Sequence, residues 1–276
     1  MKHTDEQLRI YEDGIKQLLP TNSYKEIAKS LGISSKTVWK IVKACNLMRK
    51  NKHKCDSFYF NDIDCLEKAQ LLGMLAADGS ISSKGNGVAL GLQGQDIDYL
   101  VHFKKCLQAE HPITKNIKTD NYKITIADKQ LKCDLQKLHI VPNKTYKNLS
   151  LPAMADSFLP AFVLGYFEGD GCIGSYAKNN TRDNIFMILI QENMANVLKQ
   201  HMEQLLSIEI KMIRKDKCKN NLFVLCVRKT DALIKLYHFL YDGATFVMKR
   251  KHDKWLLLMN IFKDKGYDVG ILRSFQ

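Results

Sequence analysis

The chain has few prolines, few tryptophans and no long apolar run. Its 276 residues include only 5 Pro and 2 Trp. The longest apolar runs, Ile185–Ile190 and Trp255–Met259, fall far short of the ~18–20 residues that a membrane-spanning helix needs. The charged start, MKHTDEQLRIYED, is unlike a secretory signal. We therefore expect no membrane partner.

Cysteines are present, but none of the 8 forms a Cys-x-x-Cys pair. This scattered pattern predicts free thiols in a reducing, intracellular setting, either a bacterial or phage-host cytoplasm or an organelle. His53, Cys55 and Cys65 are the only residues that suggest a zinc site at this stage, and their spacing supports one poorly.

Acidic residues are the minority charge. The chain has 42 Lys and Arg against 29 Asp and Glu, a formal net charge of +13. Such an excess predicts a polyanionic partner, most often nucleic acid. The alternative is a basic protein without such a partner.

Residues 5–48 have the pattern of three short helices. Ser23 followed by Glu26 is a capping-box signature. Gly32 suits the left-handed turn residue of a tight helix–helix corner. The arrangement resembles the helix-turn-helix DNA-binding units of resolvases and many bacterial repressors. A three-helix bundle that binds protein is the alternative.

In a helix-turn-helix, the second helix of the motif enters the DNA major groove. We expect base and phosphate contacts from the exposed residues near its start, which are Ser35, Lys36, Thr37 and Lys40. Trp39 could belong to the core or face the groove, and the core edge is the favoured position. The segment RKNKHK, Arg49–Lys54, reads as a basic tether that runs along phosphates.

Two nonapeptides are versions of one pattern. LLGMLAADG spans Leu71–Gly79, and VLGYFEGDG spans Val163–Gly171. The second copy follows the first by about 90 residues, a period too long for a solenoid and suited to two similar half-domains.

Each copy ends an apolar helix, and each is followed by a hairpin, a helix, a second hairpin and a third helix. The expected fold is therefore α+β, with two pseudo-symmetric αββαββα halves and a small all-α domain in front. The expected domains are a helix-turn-helix at 1–50, a basic linker at 51–60, and the two halves at 61–155 and 156–276.

Small residues line one face of each repeat helix. Gly73 lies four residues before Ala77, and Gly165 lies four residues before Gly169. This spacing lets two helix backbones approach closely. Parallel packing along the seam would bring Asp78 and Asp170 together at one end, where helix dipoles and mutual repulsion disfavour two anions. A divalent cation such as Mg²⁺ resolves both problems, although a single Asp-Gly is also an ordinary helix-to-strand turn.

The nonapeptides resemble the LAGLIDADG motif, and residues 61–276 are similar to a single-chain, two-motif LAGLIDADG homing endonuclease. The resemblance implies two saddle-like sheets astride a long asymmetric DNA site. It also implies two active sites that cut opposite DNA strands, with Asp78 as the metal-binding acid of one motif and Asp170 as that of the other. Glu168 occupies the sixth motif position, where the other copy has Ala76, and is a possible accessory acid.

The family also places a lysine near each acid to polarise the attacking water or the phosphate. The segment IVPNKTYKNLSLP makes Lys144 the candidate for the first half. In FVMKRKHDKW, the residues Lys249, Arg250 and Lys251 compete, and Lys251 is favoured. An ordinary phosphate contact is the alternative for each lysine.

Strand periodicity makes one face of the sheet apolar and the other polar. The polar face could contact DNA, although a sheet face that only meets solvent would show the same pattern. In the first half the expected contact residues are Gln93, Thr114, Asn116, Lys118, Lys123 and Thr125. In the second half they are Gln191, Lys211, Lys215, Lys217 and Arg228.

The sequence thus predicts a Mg²⁺-dependent, site-specific endonuclease of the homing type that associates with intron or intein mobility and cuts double-stranded DNA. A monomer is expected, because both halves lie in one chain. The rival hypotheses are a catalytically inactive DNA-binding regulator and an intron maturase of the same fold. The helix-turn-helix argues against the maturase, because it suits B-form DNA better than RNA.

Overall fold

The computed structural model describes residues 5–45, 47, 53–144, 147, 149–178, 181–215 and 221–275. The chain forms two compact units, residues 1–54 and residues 55–276. None of the described helices is both long enough and apolar enough to cross a membrane.

The first unit is a cluster of three helices. They are α1 (Asp5–Leu18), α2 (Tyr24–Ser30) and α3 (Ser35–Ala44). The predicted capping box is present at α2, and Ser34 caps α3. Gly32 has φ +65°, so the turn between α2 and α3 uses the left-handed conformation that glycine adopts readily. The core of the unit contains Ile15, Leu19, Ile27, Ala28, Val38, Ile41 and Val42.

Trp39 is half exposed, which fits either of the two positions considered for it. Its side chain is 49% exposed, and the Lys43 ammonium lies 5.1 Å from the ring centroid. Val38 and Val42 occupy the buried face of α3, and a residue one position along a helix from Val38 is rotated about 100° away from it. The helix phase therefore directs Trp39 outward.

The second unit contains two halves with the same order of elements. The first half consists of α4 (Leu66–Ala77), β1 (Gly79–Ile81), β2 (Gly87–Gln93), α5 (Ile97–Cys106), β3 (Ile113–Asn116), β4 (Asn121–Ala127) and α6 (Lys129–Lys137). The second half consists of α7 (Leu159–Asp170), β5 (Gly171–Lys178), β6 (Thr181–Gln191), α8 (Glu192–Leu206), β7 (Lys211–Arg214), β8 (Leu222–Val227) and α9 (Thr230–Tyr241). One further helix, α10 (Lys249–Asp264), follows.

Each half contains one four-stranded antiparallel sheet. The strand orders are β1-β2-β4-β3 and β5-β6-β8-β7, so the two sheets have the same topology. The predicted α+β fold with two αββαββα halves is confirmed. One apolar core runs through both halves, because the buried residues of α4, α7, both sheets and α10 form a single cluster.

The helices α4 and α7 pack against each other through their glycines. A Cβ atom on Gly73 would lie 2.0 Å from the Phe162 carbonyl oxygen, and one on Gly165 would lie 1.8 Å from that of Gln70. Any side chain at these positions would collide with backbone. Contacts advance together along both helices, from Gln70 near Gly165 to Ala77 near Gly169, so the helices run parallel.

Candidate active site at the paired helix ends

The parallel seam brings the two acids of the repeated motifs together. Asp78 is the C-terminal cap of α4, and Asp170 is the last residue of α7. A Cβ atom on Gly169 would lie 3.2 Å from the Asp78 Oδ2 atom. The Asp78 carboxylate therefore lies close to Gly169, the residue before Asp170.

The environment of Asp78 and Asp170 disfavours the ionised form of both carboxyl groups. Burial raises the pKa of Asp78 above its ordinary value, although Lys144, Lys251 and Arg250 oppose the shift. Burial also raises the pKa of Asp170, and the nearby Asp78 raises it further. Two mutually repelling acids at helix C-termini form a site that a cation would stabilise.

Lys144 lies at the end of α4. Its ammonium nitrogen donates hydrogen bonds to the carbonyl oxygens of Leu75, Ala76 and Ala77, at 2.8, 2.7 and 2.5 Å. A lysine ammonium has three N–H donors, and each has a carbonyl partner here. The charge also matches the negative end of the helix dipole.

Lys251 occupies the matching position at the end of α7. Its ammonium donates to the carbonyl oxygens of Phe167, Gly169 and Gly171, at 2.7, 3.1 and 2.7 Å. Burial lowers the pKa of both Lys251 and Lys144 to about 8, although the two acids raise both values. Each lysine would have to exchange one of these hydrogen bonds to touch water or phosphate directly.

Glu168 does not face the same space as the two aspartates. It is fully buried and accepts hydrogen bonds from the Gln70 amide at 3.0 Å and from the Met248 backbone N–H at 2.5 Å. Burial raises its pKa to about 7. Its bond to Met248 holds the start of α10, the helix that carries Lys251. The structure thus gives Glu168 a supporting position within the core, where we had considered an accessory acid.

Arg250, one of the three candidates in its segment and not the favoured one, also belongs to the site. Its Nε atom donates to both carboxylate oxygens of the buried Asp96, at 2.8 and 2.9 Å. Asp96 belongs to the first half and Arg250 to the second, so this ion pair joins the halves beside Asp78. The only sequence signal was the competition of Arg250 with Lys249 and Lys251 in one short segment.

An open groove of about 510 Å³ lies next to Asp78. Its lining includes Gly91, Gln93, Asn116, Asn121, Lys123, Gly169 and Arg250. Asp78 therefore opens onto the first sheet and not into the apolar core.

The exposed face of the first sheet carries most of the predicted contact residues. The register pairs Gln93 with Asn121 and Asn121 with Asn116, which makes one cross-strand row. Thr114 and Lys123 form the next row, and Thr125 lies beyond it. All these side chains are exposed, and Lys118 is exposed in the turn after β3.

The corresponding face of the second sheet is mostly apolar. The register places Met187 with Cys226, and Leu189 with Val224. Ile213, paired with Val224, is 50% exposed. The predicted contacts Lys211, Lys215 and Arg228 are exposed around this face, and Lys217 lies outside the described residues. The two sheets therefore present different chemistry.

Gln191 and Gln93 occupy matching strand ends but different environments. Gln191 is buried: its amide donates to the Lys144 carbonyl at 2.7 Å and its Oε1 accepts from the Leu149 N–H at 3.2 Å. Gln93 is exposed at the groove. Gln191 thus holds the backbone of the Lys144 segment, where we had expected a residue open to DNA.

On α3 of the first unit, Ser35, Lys36 and Lys40 are exposed. Thr37 is half-buried, and its hydroxyl lies 2.8 Å from that of Ser34. The three exposed residues share the outer side of α3 near its start.

No protein-family model and no curated protein matches the chain. Solved structures do match the fold. A lysine-to-alanine variant of I-SmaMI aligns with TM-score 0.53 and 13% identity over 72% of this chain and 92% of that chain. The LAGLIDADG homing endonuclease I-SmaMI bound to cleaved DNA aligns with TM-score 0.51 and 12% identity over 72% and 90%.

A third similar structure is the LAGLIDADG meganuclease I-AabMI bound to uncleaved DNA. It has TM-score 0.51 and 15% identity, over 71% of this chain and 91% of that chain. The chain therefore has the two-half fold of LAGLIDADG homing endonucleases. At these identities the likeness establishes the fold alone.

Proposed function

We propose that this protein is a site-specific endonuclease that makes metal-dependent double-strand breaks in DNA. The observation that carries the proposal is the pairing of Asp78 and Asp170, two solvent-accessible acids that lie near each other at the ends of parallel helices. Nothing in the packing of α4 and α7 needs two repelling carboxylates there, because the glycines alone make the seam.

The donor set fits Mg²⁺. Asp78 and Asp170 would hold the ion, since carboxylate oxygens are the protein ligands that Mg²⁺ prefers. When bound, the ion would supply Lewis-acid stabilisation of charge on the phosphate and on the attacking and leaving oxygens. The raised pKa values of both acids mean that their ionised forms are unfavourable here, and a bound cation would stabilise those forms.

The chain's own residues prepare the site in two further ways. Lys144 and Lys251 fix the last turns of α4 and α7 through three carbonyl contacts each, so the acids are held on rigid supports. The same ammonium groups keep positive charge next to the place where a phosphate would lie. We propose a catalytic role for both lysines on that basis.

The polar face of the first sheet supports DNA contact beside the acids. Lys123 provides a cation, and Gln93, Asn116 and Thr114 provide hydrogen-bonding groups of the kind that read base edges. The exposed basic residues around the second sheet, Lys211, Lys215 and Arg228, suit phosphates. We expect this half to contribute fewer base contacts, because its central face is apolar.

We also propose that the first unit binds DNA as a helix-turn-helix and extends the footprint. The support is its glycine turn, its two capped helices and the exposed Ser35, Lys36 and Lys40 at the start of α3. We propose the domain boundaries 1–50, 51–60, 61–155 and 156–276 on the same basis. We also propose that the protein acts as a monomer, because one chain supplies both halves.

The test is cleavage of a randomised DNA library in Mg²⁺, with the cut ends sequenced. We expect one long asymmetric site to be enriched by the natural chain, and no cut ends from Asp78→Asn or Asp170→Asn. Gel-shift binding of the recovered site by both variants should stay within a few-fold of the natural chain. Equal cleavage by Asp78→Asn would contradict the proposal.

A DNA-binding regulator is the second candidate, because the apolar second sheet face and the buried Gln191 leave the halves unequal. The same experiment separates the two. A regulator would enrich a bound sequence in a pull-down with no cut ends at any Mg²⁺ concentration.

A further inference from the structure

Three metal-binding side chains meet at the opposite end of α4 from Asp78. Glu67 lies in the first turn of α4, and His102 and Cys106 lie one turn apart on α5. The His102 Nε2 atom is 3.2 Å from the Glu67 Oε1 atom and 3.4 Å from the Cys106 Sγ atom. One ligand atom of each residue lies within 4.8 Å of the other two.

Hydrogen bonds to Glu67 explain part of this convergence, because its carboxylate lies within reach of both the His102 imidazole and the Cys106 thiol. A neutral imidazole nitrogen carries either one hydrogen or one lone pair, so His102 Nε2 makes one strong hydrogen bond at a time. Here the same nitrogen has two close polar neighbours. A cation between the three atoms would satisfy all of them together.

The spacing fits a tetrahedral zinc ion. Zinc–nitrogen and zinc–oxygen bonds of ~2.0–2.1 Å and a zinc–sulfur bond of ~2.3 Å separate tetrahedral ligands by about 3.3 Å for N and O and about 3.6 Å for N and S. The corresponding distances in the protein are 3.2 and 3.4 Å. A thiolate, an imidazole and a carboxylate form a set that selects zinc over the hard ion Mg²⁺.

A second observation points to the same place. The Tyr59 hydroxyl is buried, and within the described part of the chain it makes no hydrogen bond of normal geometry. The Cys106 thiol lies within hydrogen-bonding reach of this hydroxyl, and Glu67 and Cys65 lie nearby. A thiolate at Cys106 would give this hydroxyl an acceptor, which is how outer groups support metal ligands.

We propose that Glu67, His102 and Cys106 bind one Zn²⁺ ion, with water as the fourth ligand and Tyr59 supporting the thiolate. The ion ties α4 to α5. The His102 ring also stacks on Phe246, at 4.1 Å between centroids, in the segment just before α10. The proposed ion would connect two helices of the first half, and its ligands are separate from the paired acids.

The test uses the full chain, loaded with ZnCl₂, desalted and measured for metal by mass spectrometry. We expect one retained zinc per chain, a higher melting temperature with zinc, and thiolate charge-transfer absorption when Co²⁺ replaces it. Cys106→Ser and His102→Gln should weaken binding by at least about tenfold, and Tyr59→Phe by about tenfold. Cys106→Ser should also lose the charge-transfer band.

Two matched controls isolate the site. Cys133→Ser removes a half-buried thiol on α6 and should retain zinc. The double variant Asp78→Asn, Asp170→Asn should also retain it, which distinguishes this site from the proposed Mg²⁺ site. No retained zinc in the natural chain, or equal retention in Cys106→Ser and His102→Gln, would overturn the proposal.

Discussion

Replacing Gly165 by alanine tests whether the glycine seam sets the distance between the two acids. The added Cβ atom would lie 1.8 Å from the Gln70 carbonyl oxygen and 2.9 Å from the Met74 nitrogen. These are backbone atoms, so no side-chain rotation relieves the collision. Normal contact requires about 3.5 Å, and α4 and α7 would have to separate by roughly 1.5 Å.

The expected cost follows from two opposing effects. Alanine gains about 0.8–1 kcal/mol over glycine inside a helix. Overpacking a core costs typically 1–3 kcal/mol, and the upper end applies because backbone meets backbone. A net loss of about 2 kcal/mol or more lowers the melting temperature by about 4–8 °C for a unit of this size.

Scanning calorimetry would measure this change, with Gly85→Ala as the control. A Cβ atom on Gly85 would have only the Ser82 Oγ atom nearby, at 3.6 Å, so its melting temperature should change by less than about 1 °C. A Gly165→Ala protein that melts at or above the temperature of the natural chain would refute the close-packing argument.

Three further predictions concern the charged groups of the site. Asp170→Asn should raise the melting temperature of the metal-free protein by about 2–4 °C at neutral pH in calorimetry, because it removes about 1 kcal/mol of repulsion between ionised acids; a drop would contradict this. The free energy of unfolding should fall from pH 5 to pH 7, because the pKa of the buried Glu168 is raised to about 7. In this range the folded protein still holds a proton on Glu168 that the unfolded chain has released. Urea titrations of Glu168→Gln should lack this pH dependence. Lys144→Met should reduce cleavage by at least about a hundredfold while DNA binding persists in gel shifts, with the exposed Lys129→Met cutting normally; full activity of Lys144→Met would exclude a catalytic role.

The repeated pattern was enough to predict the fold and the seam. Gly73 and Gly165 recur at matching places in two apolar helices, and only close parallel packing uses them both. Strand alternation in β4 predicted which residues face outward, because one side of that strand is consistently apolar. Local periodicity and the internal repeat were therefore sufficient to predict the secondary structure and the pairing of the two halves.

The exact environment of each site residue depends on contacts between distant segments. Gln93 and Gln191 look equivalent in sequence, yet only Gln191 meets the Lys144–Leu149 segment. Glu168 is a possible accessory acid in sequence because it occupies the sixth position of its motif, where the other motif has Ala76. Helix rotation turns it instead toward Gln70 and Met248. A single sequence does not contain these pairings.

The choice within the segment Lys249–Lys251 shows the same limit. Successive residues on a helix point about 100° apart. As a result, Lys251 contacts the end of α7 while Arg250 turns to Asp96 in the other half. The direction of α10 relative to α7 decides this, and that direction is set by packing around Trp255 and Phe167.

Anomalous diffraction tests the central claim most directly. Crystals of the chain with the DNA recovered from the library would be grown with Mn²⁺ in place of Mg²⁺. We expect an anomalous peak within bonding distance of both the Asp78 and the Asp170 carboxylates, next to the phosphates at the cut positions. A fully occupied complex with no manganese at these carboxylates would contradict it.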